Sequence, residues 1–208
     1  MRNLIYILLF SFFTQGVLAQ KPLSKEEAST FKKAVIKTAN TTQTIVSDFE
    51  QYKHLSFLTN DIKTVGKLVF KSPNLIKWEY TDPYKYTAIF KEDKLFINDD
   101  GDKSDIDVGG NKMFKTFNKL IINSVKGNMF NEKEFAISYF KVDNSYMVKF
   151  VPKDKSMHQF IASFELTFDI KTADVVKVKM IEPSEDYTEI IFKNKQRNTT
   201  VPNEIFNH

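Results

Sequence analysis

An alternation of apolar and polar residues with a period of two begins at Thr44 and continues through most of the chain. Such an alternation is typical of β-strands that have one apolar face. The connections between the runs are short and carry turn residues, for example Thr59-Asn60-Asp61 and Lys91-Glu92-Asp93. They leave no room for the helical crossovers that parallel strands require, so the pattern predicts an antiparallel sheet built from hairpins. The predicted strands cover residues 44–54, 62–71, 74–80, 84–90, 94–98, 135–142, 146–151, 160–169, 175–181 and 187–195.

The clearest hairpin lies between Gly66 and Pro83, where two alternating runs flank the turn Ser72-Pro73-Asn74. Side chains two residues apart share one face of a strand. The predicted apolar face carries Leu68, Phe70, Ile76, Trp78 and Tyr80. Trp78 is the only Trp in the chain, and its ring on this face fits either a packed aromatic core or a cavity for an apolar ligand. Composition does not separate these two interpretations.

A first helix is predicted to begin after Ser24, which can form a capping box with Glu27. Apolar residues then recur at helical spacing at Ala28, Phe31, Val35 and Ala39. This stripe indicates either an amphipathic helix that covers one end of the sheet or part of a lid.

A second helix is predicted between Asn111, a possible cap, and Gly127, which is placed to end it. Its apolar face carries Met113, Phe114, Phe117, Leu120, Ile121 and Val125. Since a twisted open sheet rarely exceeds about ten strands, a single sheet of this size is expected to curl or close. The predicted fold is therefore mainly β (α+β), a single antiparallel, partly closed β-barrel of about ten or eleven strands covered by helices.

The first residues have the pattern of a secretory signal peptide. Arg2 precedes an apolar run over residues 4–13, and Val17-Leu18-Ala19 provides a cleavage site. The apolar run has about 10 residues, well short of the roughly 20 needed to span a membrane. We therefore predict that residues 1–19 are removed by cleavage after Ala19 and that residues 20–208 form one domain.

The sequence lacks the patterns of common catalytic and metal-binding sites. It has no Cys, which excludes disulfides, thiolate ligands and a lipid-modified Cys, and it has no nucleophile elbow or phosphate-binding loop. The three His, at positions 54, 158 and 208, lack zinc-site spacing. Five carboxylates lack the spacing of a calcium loop and indicate a solvated turn: Asp99, Asp100, Asp102, Asp105 and Asp107. Lys residues are scattered among acids, which argues against a nucleic-acid partner. Because the catalytic and metal-binding patterns are also missing, we predict no enzyme, no cofactor and no metal.

The pattern Gly66-x-Leu68-x-Phe70-Lys71-x-Pro73-Asn74-Leu75-x-x-Trp78, followed by Pro83, resembles the signature hairpin of LolA-type periplasmic carriers. Upstream, Asp48-Phe49-Glu50-Gln51 is similar to the family's F-x-Q strand. Downstream, Pro152 and the segments 160–169, 175–181, 187–194 and 201–206 are similar to its closing half. These motifs occur in the family's order and span nearly all of the chain after the signal peptide.

The resemblance implies a periplasmic carrier that shields the acyl chains of lipoproteins and moves them from the inner to the outer membrane. It implies a monomer whose partners are acylated lipoproteins, an inner-membrane lipoprotein-release transporter and an outer-membrane receptor or acceptor. The absence of Cys favours the soluble carrier over the related receptor, which is anchored through a lipid-modified Cys. A shuttle for another lipid or acylated molecule, an enzyme on the same scaffold and a module that binds envelope proteins remain open alternatives.

In the resembled family, helices cover an open barrel whose interior receives acyl chains. The cavity is predicted to be lined by Phe49, Leu68, Phe70, Ile76, Trp78, Tyr80, Phe114, Phe117, Leu120, Phe164, Leu166, Phe168, Ile190 and Phe192. Phe31 and Val35 are predicted to belong to a lid that closes near Ile76. Many carriers of the family have an Arg latch at the position of Ser72, and a short hydroxyl cannot replace its five donors. We therefore expect a loosely closed lid.

Overall fold

The computed structural model describes residues 20–91, 94–107 and 128–208. Its helices are α1 (Lys25–Asn40), α2 (Lys155–His158) and a 3₁₀ helix (Asn203–Phe206). The strands are β1 (Lys21–Pro22), β2 (Thr44–His54), β3 (Ile62–Lys71), β4 (Leu75–Asp82), β5 (Tyr86–Lys91), β6 (Lys94–Asp99), β7 (Asp102–Asp107), β8 (Phe135–Val142), β9 (Ser145–Pro152), β10 (Ser163–Asp169), β11 (Val175–Ile181) and β12 (Tyr187–Arg197). Among these described residues, no helix is long and apolar enough to cross a membrane.

The strands form one antiparallel sheet in the order β1-β8-β9-β10-β11-β12-β2-β3-β4-β5-β6-β7. Two meanders, β2 to β7 and β8 to β12, meet in the middle because β12 pairs with β2. The sheet is open in the described part of the chain, since no pairing joins β1 to β7. The predicted antiparallel, mainly β fold is thus confirmed, whereas the predicted barrel closure and helix cover are not. The predicted second helix at 111–127 lies outside the described residues.

Two strands were missed because neither alternates between apolar and polar residues. Lys21–Pro22 pairs with the end of β8, and Asp102–Asp107 pairs with β6. The Asp cluster is solvated as predicted, since all residues of β7 are exposed, but beyond Gly101 it forms a strand and not a turn. The turn itself is tight: Gly101 has a φ of 113° and its N–H donates to the Asn98 side chain at 2.8 Å.

The predicted β3–β4 hairpin is confirmed with its register. Leu68 pairs with Trp78 and Phe70 pairs with Ile76, and all four side chains are buried. On the other face, the C-terminal segment covers the hairpin, so that Val69 packs with Val201 and Phe206. The hairpin therefore has one buried apolar face, as predicted, and a second face that the C-terminal segment partly covers.

Helix α1 begins as the sequence predicts. The Ser24 hydroxyl accepts a hydrogen bond from the Glu27 N–H, and the Glu27 carboxylate accepts one from the Ser24 N–H at 2.8 Å. These bonds hold the pKa of Glu27 below its usual value. The buried face of the helix carries Phe31, Val35 and Ala39, so the predicted apolar stripe faces the sheet.

The apolar side chains of the sheet form two main cores. The hairpin core consists of Ile45, Phe49, Leu68, Phe70, Ile76, Trp78, Phe90, Leu95 and Ile190. The helix core consists of Phe31, Val35, Met129, Phe135, Val148, Phe150, Ile161, Phe164, Leu166 and Phe168. The first is built mainly on β2 to β6 and the second mainly on α1 and β8 to β10.

Candidate functional site

An apolar cleft lies under α1, with lining residues from both cores. Its free space, counted out to its open mouth, is about 800 Å³. The lining side chains are Val35, Thr38, Ala39, Thr42, Ile45, Leu68, Trp78, Phe168, Ala173, Asp174, Val175, Val178, Ile190, Phe192 and Lys195. Only about 100 Å³ of this space is open to the centre of a water-sized sphere, so the cleft is narrower than the pockets of about 300–1,000 Å³ that hold a small-molecule ligand.

The roof of the cleft is the C-terminal half of α1. Its side chains over the cleft are small, since Val35, Thr38 and Ala39 are followed by Thr42 after the helix end. The larger Phe31 lies one turn earlier and packs against the Phe168 ring with centroids 5.0 Å apart. The helix is therefore anchored by an aromatic contact near its start and leaves space beneath its end.

Hydrogen bonds also hold this end of the helix. The Thr38 hydroxyl donates to the Thr172 carbonyl at 3.2 Å, which ties α1 to the β10–β11 turn. Just after the helix, the Asn198 side chain donates to the Thr41 carbonyl at 3.0 Å and accepts from the Gln43 N–H at 2.7 Å. Neutral hydrogen bonds of this kind contribute about 1 kcal/mol each.

An aromatic group forms the floor. The Trp78 ring lies 5.0 Å from Phe49 and 6.1 Å from Phe192, measured between centroids. The indole Nε1–H of Trp78 is buried and has no acceptor among the described residues. A buried donor without a partner is destabilising by about 1–3 kcal/mol. A ligand oxygen that accepts a hydrogen bond from this N–H would remove that cost.

Charged side chains occur at one wall of the cleft. The Lys195 ammonium donates to the Val175 carbonyl and lies 3.9 Å from the Asp174 carboxylate. Asp174 also pairs with the Arg197 guanidinium at 3.6 Å. Burial lowers the pKa of Lys195, and the charge of Arg197 acts in the same direction, while Asp174 opposes the shift. Lys195 and Asp174 line the cleft, and Arg197 contacts Asp174 without lining the cleft.

Several of the side chains predicted to line a cavity do line this cleft. They are Leu68, Trp78, Phe168, Ile190 and Phe192, and the predicted lid residue Val35 lies opposite them. Phe49, Phe70 and Ile76 belong to the hairpin core, Tyr80 packs against that core, and Phe164 and Leu166 belong to the helix core. Phe114, Phe117 and Leu120 lie outside the described residues. The lipid-binding role of all these residues stays a prediction.

The remaining lid predictions fall in different places. Phe31 packs in the helix core, whereas Ile76 is fully buried in the hairpin core. Ser72 lies in the β3–β4 turn, and its N–H donates to the Gln43 carbonyl at 2.8 Å, just after α1. The ammonium of the neighbouring Lys71 donates to the Val201 carbonyl at 2.6 Å. Ser72 is therefore tied to the chain that follows the roof helix.

Sequence reasoning missed other lining residues. Ile45 shares parity with Phe49 on β2, and Val178 alternates with lysines on β11, so the period of two could have identified both. Val175 reaches the cleft because the β10–β11 register shifts between Thr167 and Phe168. Lys195 follows a second irregularity, between Lys193 and Gln196 in the pairing of β12 with β2. Such irregularities have no clear local sequence signal.

The family model for the outer membrane lipoprotein carrier protein LolA matches residues 40–208, the range that supplies most of the cleft wall. The chain belongs to the LolA family. The expected resemblance is thereby confirmed over most of the sequence. No curated protein has a sequence that matches this LolA-family chain.

Solved structures share the fold of this LolA-family protein at low identity. A DUF1329 family protein from Desulfovibrio piger has a TM-score of 0.52 at 12% identity, over 86% of this chain and 97% of that chain. An uncharacterized conserved protein from Thermus thermophilus has a TM-score of 0.52 at 8% identity, over 86% and 91%. The Mycobacterium tuberculosis lipoprotein LppX has a TM-score of 0.50 at 8% identity, over 86% and 100%. These similarities concern the fold alone.

Proposed function

We propose that this LolA-family protein is a periplasmic carrier that binds acyl chains of lipoproteins in the cleft under α1 and delivers them to the outer membrane. The observation that carries the proposal is the position of the cleft. It is lined mainly by apolar side chains, and it lies beneath the C-terminal half of α1. Each methylene removed from water contributes about 0.8 kcal/mol, so such a cleft can carry a chain through an aqueous compartment.

The cleft is narrow, and binding an acyl chain requires the roof to move. Neutral hydrogen bonds of Thr38 and Asn198 hold the end of α1, whereas Phe31 packs in the helix core. Lifting the end of α1 about the Phe31 anchor widens the space above Trp78 without breaking the sheet. The proposed partners are an inner-membrane release transporter, from which the carrier receives its ligand, and an outer-membrane acceptor, to which it delivers the ligand.

Catalysis is not part of the proposed function. The ionisable groups that line the cleft, Asp174 and Lys195, neutralise each other in part, and neither lies beside a described Ser or His that it could activate. A carrier releases its ligand chemically unchanged. Ligand recovered from the protein should therefore have the same mass as the ligand loaded.

The first experiment identifies the ligand. Protein purified from the envelope fraction should start at Gln20 and should co-purify with lipoprotein that mass spectrometry detects through its acylated N-terminal peptide. A different acylated molecule in its place would favour the alternative, a shuttle for another lipid. Retention of residues 1–19 would contradict the predicted cleavage.

The second experiment places the ligand in the cleft. Ala39→Phe puts a ring into the cleft from its roof, while Ile36→Phe puts the same ring on the exposed face of α1. Delipidated Ala39→Phe protein should bind an environment-sensitive apolar dye at least about tenfold more weakly than the parent, since it loses the space that buries the dye. Ile36→Phe should bind like the parent. Equal binding by both variants would exclude the cleft as the site.

A further inference from the structure

The charged group at one wall of the cleft carries a net positive charge when Arg197, which does not itself line the cleft, is counted with Lys195 and Asp174. Lys195 and Arg197 are cations, and Asp174 is the one anion paired with them among the described residues. Asp174 is shared between the two, and its distance of 3.9 Å from Lys195 is too long for a hydrogen bond. One positive charge on this wall is therefore not balanced by Asp174.

The Lys195 ammonium has hydrogen-bonding capacity left. An ammonium group has three donors, and within the described residues its hydrogen bond goes to the Val175 carbonyl. The side chain is only 16% exposed, so water does not surround the charge freely. Burial lowers the pKa of the Lys195 ammonium, and an anion bound beside it would raise that pKa again.

Lys195 is connected to the floor of the cleft through one aromatic ring. Its ammonium lies 5.4 Å from the centroid of Phe192, and the same ring lies 6.1 Å from Trp78. All three side chains line the cleft. An acyl chain that lies over Phe192 and Trp78 can thus have its polar end at Lys195.

We propose that the cleft selects acyl ligands that carry an anionic head group, a carboxylate or a phosphate, and that Lys195 binds this head group. The inference rests on the proposed function, because it assumes that the cleft binds acyl chains. It adds a charge selectivity that an apolar cleft alone does not have. Lys195 is the docking point of the head, and Phe192 and Trp78 contact the first part of the chain.

The test compares three ligands with the same chain length: hexadecanoate, hexadecyl phosphate and methyl hexadecanoate, each below its aggregation threshold. Trp78 is the only Trp and lines the cleft, so its fluorescence reports binding directly. The parent should bind at least one of the two anionic ligands about tenfold to hundredfold more tightly than the ester, which is the range of one charge-assisted hydrogen bond. The difference between the carboxylate and the phosphate arms identifies the head group.

The decisive variant is Lys195→Met, which keeps the length of the side chain and removes its charge. It should lose the preference for the anionic ligands and still bind the ester. Lys195→Gln serves as a second variant if Met disturbs folding, and ester binding shows that the cleft is intact. Lys193→Met is the matched control, because Lys193 pairs with Glu50 at 2.8 Å and does not line the cleft.

Three further outcomes have different consequences for this inference and for the proposed function. Equal binding of ester and anions by the parent, with Ala39→Phe weakening both, would overturn the role of Lys195 and leave the carrier intact. No binding of any of the three ligands would overturn both. A preference for anions that persists in Lys195→Met and Lys195→Gln would also overturn the assignment to Lys195.

Discussion

Gly66 shows at the scale of one residue how closely the floor of the cleft is built. A Cβ atom at this position would lie 2.1 Å from the Glu79 carbonyl oxygen and 2.7 Å from the Phe49 ring. The Phe49 ring lies over Gly66 and contacts Trp78 and Tyr80 at 5.0 and 5.2 Å between centroids. Glycine is required here because the Phe49 ring and the Glu79 carbonyl approach the backbone closely, which allows Phe49 to pack against Trp78.

Gly66→Ala should therefore lower the free energy of unfolding by about 3 kcal/mol, since the backbone of β4 must move to make room. Gly101→Ala is the comparison, because a Cβ there meets no atom within 4 Å. Its cost comes from the φ of 113° alone and should be about 1 to 2 kcal/mol. Urea unfolding of both variants measures the difference, and a larger loss at Gly101 would contradict the packing argument.

Glu50 provides a residue-scale prediction about pH. Its carboxylate pairs with Lys193 at 2.8 Å, accepts a hydrogen bond from the Tyr52 hydroxyl at 3.0 Å and pairs with Lys63 at 3.2 Å. These contacts lower the pKa of Glu50 from 4.5 to about 2. The folded state therefore binds this proton less readily than the unfolded state does. The resulting stability is present above pH 4.5 and is lost as the pH falls towards 2.

Glu50→Gln should accordingly flatten the dependence of Tm on pH in this window. Thermal unfolding at several pH values and constant ionic strength measures the slope. Glu185→Gln, in the exposed β11–β12 turn, should leave the slope as in the parent. An unchanged slope in Glu50→Gln would mean that the three contacts do not set the acid response.

At the scale of an element, Ser72 connects the β3–β4 hairpin to helix α1. Its N–H is bonded to Gln43, three residues beyond the end of the helix. A guanidinium at this position would place positive charge near the C-terminus of α1, where positive charge is favourable. Such a contact would add to the hydrogen bonds that hold this end of the roof.

Ser72→Arg should therefore slow the binding of an apolar dye, and raising the salt concentration should restore part of the rate. The parent should bind faster and with little dependence on salt. Ser72→Lys carries the same charge without the planar fork and should have a smaller effect. Stopped-flow fluorescence gives the rates, and equal rates for all three proteins would show that position 72 does not control the roof.

Local patterns predicted the elements better than their assembly. The capping box at Ser24 and the β3–β4 register depend on residues close in sequence, and both are confirmed. Whether the sheet closes depends on pairing between distant strands, which alternation does not specify. The same holds for the cleft. The period of two along β3 and β4 predicts that Leu68 and Trp78 line it, whereas the positions of Val175 and Lys195 depend on irregularities in strand pairing.

At the scale of the whole molecule, the two main cores of the described residues meet beneath α1. Ile45, Leu68, Trp78 and Ile190 bring the hairpin core to the cleft, and Val35 and Phe168 bring the helix core. A ligand in the cleft therefore contacts both cores. Binding to the native state alone stabilises it by mass action, so both cores should become harder to open.

Hydrogen exchange measures this coupling. Saturation with a bound acyl ligand should slow amide exchange in α1, in β4 and in β10, which line the cleft, and should leave β6 and β7 nearly unchanged. The Ala39→Phe variant with the same ligand is the control, because its cleft is filled. Slower exchange confined to one core would show that the ligand does not bridge the two.

The pairing of β12 with β2 at the centre of the sheet also determines when the cleft can exist during biogenesis. Hairpins from β2 to β7 can form as the chain emerges, since their contacts are local. The cleft needs Val35 from near the start of the chain and Ile190 and Phe192 from near its end. A partly synthesised or partly translocated chain therefore has no binding site and no finished central sheet. The cleft is complete only after β12 has been made and has paired with β2.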